Sequence, residues 1–187
     1  MKARMIGTFV LIVFVGFQGV ARAQSMVRGF GPYILGTPMS TVLQTDPQLS
    51  PGSGYPTWSS RVPSTRYGRV MSAPVGGYTY PARVGLQFWQ GTLASVCVVW
   101  DSNAFDSVDD WRSAARALRA QLQQTYGAIT TMDQVVGDDD MMYEATDAKN
   151  NFLAAFTDPH HFSLHMCYLS GPFRQAVDAA PKPSVSY

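Results

Sequence analysis

The sequence predicts an α+β fold in a single domain, an antiparallel sheet of about five strands packed by one long helix and one short one. Three observations lead there. Residues 108–126 repeat apolar side chains at helical spacing, while stretches within 78–100 and 152–169 alternate with a period of two. Gln90-Gly91 and Asp158-Pro159-His160 are turn sequences short enough to make the strands they join antiparallel neighbours.

At the start of the chain, Lys2 and Arg4 precede an apolar run from Met5 to Val15, and Ala21-Arg22-Ala23 supplies small residues for a signal peptidase. The run is shorter than the ~20 residues that cross a bilayer. Residues 1–23 are therefore expected to be an export signal, leaving Gln24 as the new N-terminus and a periplasmic or secreted protein. Gln24-Ser25-Met26 contains no cysteine, so no lipid anchor is expected. Residues 24–175 are assigned to one α+β domain and residues 176–187, with Pro181 and Pro183, to a flexible tail.

Losing Lys2, Arg4 and Arg22 from 14 basic residues leaves 11 against 13 acids, moving the formal charge from +1 to −2. Export and this balance argue against a nucleic-acid partner. The charge is unevenly placed: residues 24–100 hold five arginines and one acid, Asp46, whereas residues 101–187 hold six basic and twelve acidic residues. The only cysteines, Cys97 and Cys167, are expected to form a structural disulfide, since exported chains keep such bonds and neither residue belongs to a C-x-x-C motif.

Thr37 is placed to cap a short helix beginning at Pro38 and stopping at Asp46-Pro47. Residues 50–65, rich in Pro, Gly and Ser, read as a long surface loop. Strands are expected over 67–73, broken by Pro74 and Gly76-Gly77, then over 78–89 and 92–100. A plain two-residue hairpin at Gln90-Gly91 would set Phe88 against Leu93, Leu86 against Ser95 and Val84 against Cys97, turning Cys97 toward the core; a bulge would swap the faces. The long helix has Ser107 as cap, Asp109 and Asp110 at the positive end of its dipole, Gly127 as its stop, and Trp111, Ala115, Leu118, Leu122 and Tyr126 in one stripe. Residues 141–145 are compatible with a short strand, and two further strands are expected at 152–157 and 161–169. In the last of these Cys167 alternates with Ser163 and His165, away from Phe162, Leu164, Met166 and Tyr168, so a bridge to Cys97 demands a strand buried on both sides or a bulge.

Residues 47–100 contain no acid but four arginines (Arg61, Arg66, Arg69, Arg83) among aromatics that include Tyr55, Trp58, Tyr67, Tyr78, Tyr80 and Trp89. Arginine beside aromatic rings suits an anionic or sugar-bearing ligand, with Arg66, Arg69, Tyr67, Tyr78 and Trp89 as the candidate contacts. The competing expectation pairs these arginines with the protein's own acids between Asp133 and Asp147. On the long helix, Arg112, Arg116 and Arg119 flank the buried stripe as a solvated face.

His160, His161 and His165 are the only histidines, with Asp158 beside them. On a strand, His161 and His165 stand roughly 13 Å apart, too far for one ion to bridge, so no metal site and no cofactor are expected. Asp138-Asp139-Asp140 lacks the spacing of a calcium loop. Neither G-x-S-x-G nor H-E-x-x-H occurs, so no catalytic residue is assigned.

The stretch Gly36-Thr37-Pro38-Met39-Ser40-Thr41-Val42-Leu43, a glycine turn feeding a short helix, resembles a pattern in small bacterial envelope proteins of the SmpA/OmlA (outer-membrane assembly lipoprotein) kind. The resemblance implies an envelope scaffolding or binding role, with an envelope protein as a candidate partner. The chain departs from that family in lacking the lipidated cysteine and in having a longer sheet region. The reading from sequence is a non-catalytic binding or structural envelope module. Its alternative is a small exported hydrolase built from Asp and His residues of the second half, gathered around Asp158, His161 or His165.

Overall fold

The computed structural model describes residues 26–75, 77–127 and 142–181, in the order β1 (Gly29–Phe30), β2 (Tyr33–Ile34), α1 (Met39–Thr45), β3 (Ser50–Pro51), β4 (Thr65–Val75), β5 (Tyr78–Trp89), β6 (Thr92–Trp100), α2 (Val108–Tyr126), β7 (Met142–Thr146), β8 (Phe152–Asp158), β9 (Ser163–Leu169) and α3 (Gly171–Ala179). The segment read as an export signal lies outside the described residues, as do Asp138-Asp139-Asp140 and the end of the tail.

The fold is α+β, as the periodicities require. One antiparallel sheet of seven strands runs β3-β4-β5-β6-β9-β8-β7, and β1 and β2 form a separate ribbon. The expected count of about five strands falls short for two reasons. Ser50–Pro51 is a two-residue strand inside the stretch read as loop, paired with Tyr67 and Gly68. Strand β7 also joins fully, at the edge beside β8. Strand β4 continues past Pro74, where β3 no longer covers its outer edge and a missing N–H breaks no ladder bond.

Helix α2 forms where its sequence signals place it. Ser107 accepts the Asp110 amide at 3.1 Å, and Gly127 ends the helix at φ 92°. Trp111, Ala114, Ala115, Leu118 and Leu122 are buried against Val84, Leu86, Val96, Val98, Trp100, Leu153, Ala155, Leu164 and Met166. Two tyrosines fix its ends on the sheet: Tyr80 donates to Asp110 at 2.8 Å, and Tyr143 donates to the Leu122 and Gly127 carbonyls at 3.1 and 3.0 Å. The Gly127 carbonyl is one that a helix C-terminus leaves without an intrahelical partner.

Helix α1 begins one residue later than expected, and Thr37 is not its cap. Pro38 occupies that position without a side-chain hydrogen bond and forms a β-bridge to Thr92, while the Thr37 carbonyl accepts the Leu93 amide at 2.8 Å. Pairing with the start of β6 holds these two residues instead. A third helix appears where a tail was expected: α3 runs through Ala179, so residues 176–179 are helical, with Phe173 and Val177 buried.

The hairpin turn itself is as expected, with Gln90 and Gly91 both at positive φ (52° and 77°), the backbone of a type I′ turn. The register behind it is not. Phe88 faces Leu93, but Gln87 then faces Ser95, which makes Ala94 the extra residue of a bulge. From that point Leu86 opposes Val96, Val84 opposes Val98, and Cys97 opposes Gly85. Cys97 therefore points to the face opposite α2. That is also the face of Cys167, its direct partner on β9, and the two form a disulfide with Cα atoms 4.1 Å apart. The facing conflict in the sequence is resolved by both devices at once: a bulge in β6, and a β9 buried on two sides. The second face is covered by α3 and the 54–62 loop, through a smaller cluster of Val62, Ala94, Phe152, Ala154, Leu169, Phe173 and Val177 around the disulfide.

Candidate binding cleft

Because paired residues in an antiparallel sheet share a face, the register lays out rows across the strands on the disulfide side. One row reads Ser50, Gly68, Gly85, Cys97, Cys167, Ala154, Glu144. From Ser50 to Ala154 every member is small, and this part of the row is a trough. The loop fills one end of it: a Cβ on Gly68 would run into the Tyr55 ring, and one on Gly85 into the Pro56 backbone carbonyl. Two glycines facing each other across β4 and β5 thus let residues 55–56 lie directly on the sheet, the close approach that glycine inside a strand permits. Gln87 ties the same loop down, accepting the Trp58 amide at 3.1 Å and donating to the Ser59 carbonyl at 2.7 Å.

The next row reads Val70, Arg83, Val99, His165, Phe156, Met142, and the loop stops short of it. The step between covered and uncovered rows is a cleft of about 500 Å³ lined by Tyr55, Pro56, Trp58, Arg83, Val99, Phe156, His165 and Cys167. At its rim, Arg83 grips Asp101 side-on, Nε to Oδ2 at 2.6 Å and a terminal nitrogen to Oδ1 at 2.8 Å. The hydrogen bond from Arg83 holds the Asp101 carboxyl below the ordinary aspartate value, against a smaller opposing effect of burial. His165 stacks on Phe156 with centroids 4.7 Å apart and planes 7° from parallel, and its Nε2 lies 2.8 Å from Ser163 Oγ. Burial is the main influence on His165 and lowers its pKa below the ordinary histidine value, despite the opposing pull of Asp158 and Asp101. The shift favours the neutral imidazole.

The Ser163–His165 bond does not present a nucleophile to the cleft. Ser163 is only 4% exposed and the cleft is not lined by it, so its hydroxyl orients the imidazole. Asp158 is bound to His161, at 2.7 Å on the exposed β8–β9 turn, and caps the His160 and His161 amides. Of the three groups proposed to gather for hydrolysis, His165 alone lines the cleft. Among the described residues, no set of three His, Cys, Asp or Glu side chains could hold a metal ion.

The five residues singled out from sequence do not share one site. Tyr67 and Arg69 lie on the α2 face, opposite Leu86 and Val84, whereas Arg66, opposite Gln87, lies on the other. Tyr78 is exposed at the far end of β5 beside Tyr80, and Trp89 packs on Phe173 of α3. Arg69 and Arg83 meet acids other than those expected between Asp133 and Asp147, of which Asp133, Asp138, Asp139 and Asp140 lie outside the described residues. Arg69 holds Asp46 through two contacts of 2.8 Å, and Arg83 holds Asp101. Asp147 instead accepts four nitrogens, the Val27, Lys149 and Asn151 amides and Asn151 Nδ2, and so fastens the β7–β8 turn to the start of the domain. Arg83, Tyr55 and Trp58 stand in the arginine and aromatic inventory of the sequence, but only the Gly68–Gly85 pairing marks where the loop is seated.

A second hollow of about 350 Å³ lies between α1 and β4, lined by Tyr33, Thr37, Thr41, Thr45, Asp46 and Arg69. Asp46 is its centre, taking the Tyr33 hydroxyl at 2.5 Å in addition to Arg69. Burial opposes its charge, but the hydrogen bonds from Tyr33, Arg69 and the Gln48 amide together outweigh burial and hold the carboxyl below the ordinary value. This trio fastens the β1–β2 ribbon and α1 to the sheet. Arg69→Ala is expected to lower the unfolding free energy by about 1.5–3 kcal/mol in urea titration, the range for hydrogen bonds to charged groups. The Asp46 contribution is present above its unfolded pKa of about 3.9 and is lost as pH falls through the lower folded value, so the deficit of the variant shrinks in acid. Equal midpoints for Arg69→Ala and the parent at pH 7 would refute the assignment.

Among the described residues no helix is long and apolar enough to cross a membrane. No protein-family model, curated protein or solved structure matches the chain.

Proposed function

We propose that this protein is an exported, non-catalytic binding module of the cell envelope, and that it takes its ligand in the cleft between the 54–58 loop and the Arg83-Val99-His165-Phe156 row. The observation that carries this reading is a preformed hollow of about 500 Å³, within the size range of small-molecule sites, with aromatic walls and one fixed polar pair at its rim. Its walls need no rearrangement to form: the loop is seated on two glycines and tied by Gln87, and the floor is central sheet. Support for export comes from the leader-like residues 1–23 and from the Cys97–Cys167 disulfide, a bond that persists in oxidising compartments.

The full-length chain expressed in a bacterium provides the test. Recovery from the periplasmic fraction with Gln24 as first residue supports export; recovery from cytosol with Met1 retained overturns it. The purified, isotope-labelled protein is then titrated with a mixed set of small sugars, aromatic acids and short peptides. Saturable amide shifts confined to residues around Arg83, Val99, Phe156 and His165 are expected. Shifts only around Tyr33, Asp46 and Arg69, or none at all, would remove the cleft from consideration.

A further inference from the structure

We infer that the cleft recognises a neutral saccharide, an inference that rests on the cleft being the binding site. The argument begins with charge. Arg83 and Asp101 cancel each other through two short hydrogen bonds. Burial among the cleft walls disfavours charge on His165, and the other cleft-lining side chains carry none. An anion entering this space meets no uncompensated cation, and a cation no uncompensated anion, so either would lose hydration without a counter-charge.

The polar pair nevertheless has spare capacity of a particular kind. Arg83 uses Nε and one terminal nitrogen on Asp101, and among the described residues its other terminal nitrogen reaches only the Gly54 carbonyl, at 3.4 Å. Asp101 has further lone pairs beyond the two bonds it accepts. Arg83 lines the cleft and Asp101 stands beside it just outside the lining, with the two side chains 41% and 38% exposed. A donor and an acceptor are thus offered side by side in a fixed geometry. A hydroxyl group, which donates and accepts at once, satisfies both. A carboxylate can only accept and an ammonium only donate, and each would leave one member of the pair unmet.

The remaining walls complete the match. His165 and Phe156 stack face to face beside Val99, so the pair offers a ligand ring edges and one outer ring face, and Tyr55 and Trp58 stand on the loop side. A pyranose ring has one face of C–H groups and an edge of hydroxyls. It can lay the first against aromatic rings, where apolar burial and the negative π-face favour it, and turn the second toward Arg83 and Asp101.

The test uses the exported, disulfide-intact protein, titrated by amide NMR with neutral mono- and disaccharides of the gluco, galacto, manno and N-acetylamino series, and in parallel with benzoate and indole-3-acetate. At least one saccharide is expected to shift the Arg83, Phe156 and His165 signals saturably. Asp101→Asn is expected to weaken it tenfold or more, and Phe156→Ala, on the floor, to weaken it similarly. Each variant is judged by a fold-check spectrum, and either suffices if the other fails to fold. If benzoate or indole-3-acetate binds at these residues and no saccharide does, the saccharide inference falls while the binding cleft stands. If no probe binds there, both fall. Saccharide binding that survives Asp101→Asn and Phe156→Ala unchanged overturns the inference as well.

Discussion

Replacing Cys97 and Cys167 together by alanine is expected to lower the unfolding free energy by about 4 kcal/mol, the loss of loop-closure entropy predicted by the chain-entropy model for a loop of this size. The bond spans 70 residues and joins β6 to β9, the strands through which the two halves of the sheet meet. Typical domains have only about 5–15 kcal/mol in total, so the effect is large on that scale. The bridge also lies inside the smaller core cluster, where Val62, Phe152, Ala154, Leu169 and Phe173 pack around the sulfurs, and alanine leaves part of that volume empty. Urea titration of the oxidised parent against the double variant measures the difference. Treating the parent with dithiothreitol should reproduce most of it without any substitution. Coincident transitions for all three samples would show that the bridge constrains nothing in the unfolded chain.

The second large effect is expected at Gly85. A Cβ there collides with the Pro56 carbonyl, which belongs to backbone and cannot rotate away, so Gly85→Ala must lift the loop from the sheet. Overpacking of this kind costs about 1–3 kcal/mol. Lifting the loop also carries off Tyr55, Pro56 and Trp58, one whole wall of the cleft. The variant should therefore lose stability and cleft binding together, with amide shifts concentrated in residues 54–59. Gly54→Ala is the control, because a Cβ at Gly54 meets nothing within 4 Å. A Gly85→Ala protein as stable as the Gly54→Ala control, with its 54–59 signals unmoved, would refute the seating of the loop.

Elements whose signals are local were readable along the chain. Helix α2 was marked at both ends and along its stripe because a cap, a dipole and a 3.6-residue period act between residues within a few positions of one another. The Gln90-Gly91 turn was legible for the same reason, as were the limits of β5 and β8 within a residue. Thr37 misled because a competing long-range pairing, of Thr37 and Pro38 with the start of β6, took over residues that a short helix alone could not hold. Helix α3 was missed since its apolar contacts, Phe173 and Val177, have meaning only against a second sheet face that sequence had not established as needing cover.

The candidate site was legible in kind but not in place. Arginine among aromatics in the acid-free segment does describe the walls of the cleft, yet the particular set Arg66, Arg69, Tyr67, Tyr78 and Trp89 divides between two faces and two ends of the sheet. Residues 66, 67 and 69 cannot all look the same way from one strand. Arg83 and Asp101, 18 positions apart, meet at the rim because the β5–β6 pairing sets Arg83 opposite Val99.

Residue order alone therefore determined the α+β class, the long helix, the tight turn and the pairing of the two cysteines, each set by local preference or by there being a single partner. Tertiary structure decided which side of the sheet every side chain occupies. One extra residue at Ala94 reverses the facing of all that follows in β6, and no local preference records it. The row through Gly68, Gly85, Cys97, Cys167 and Ala154 and the cleft beside it consequently exist only once strands distant along the chain have found their register.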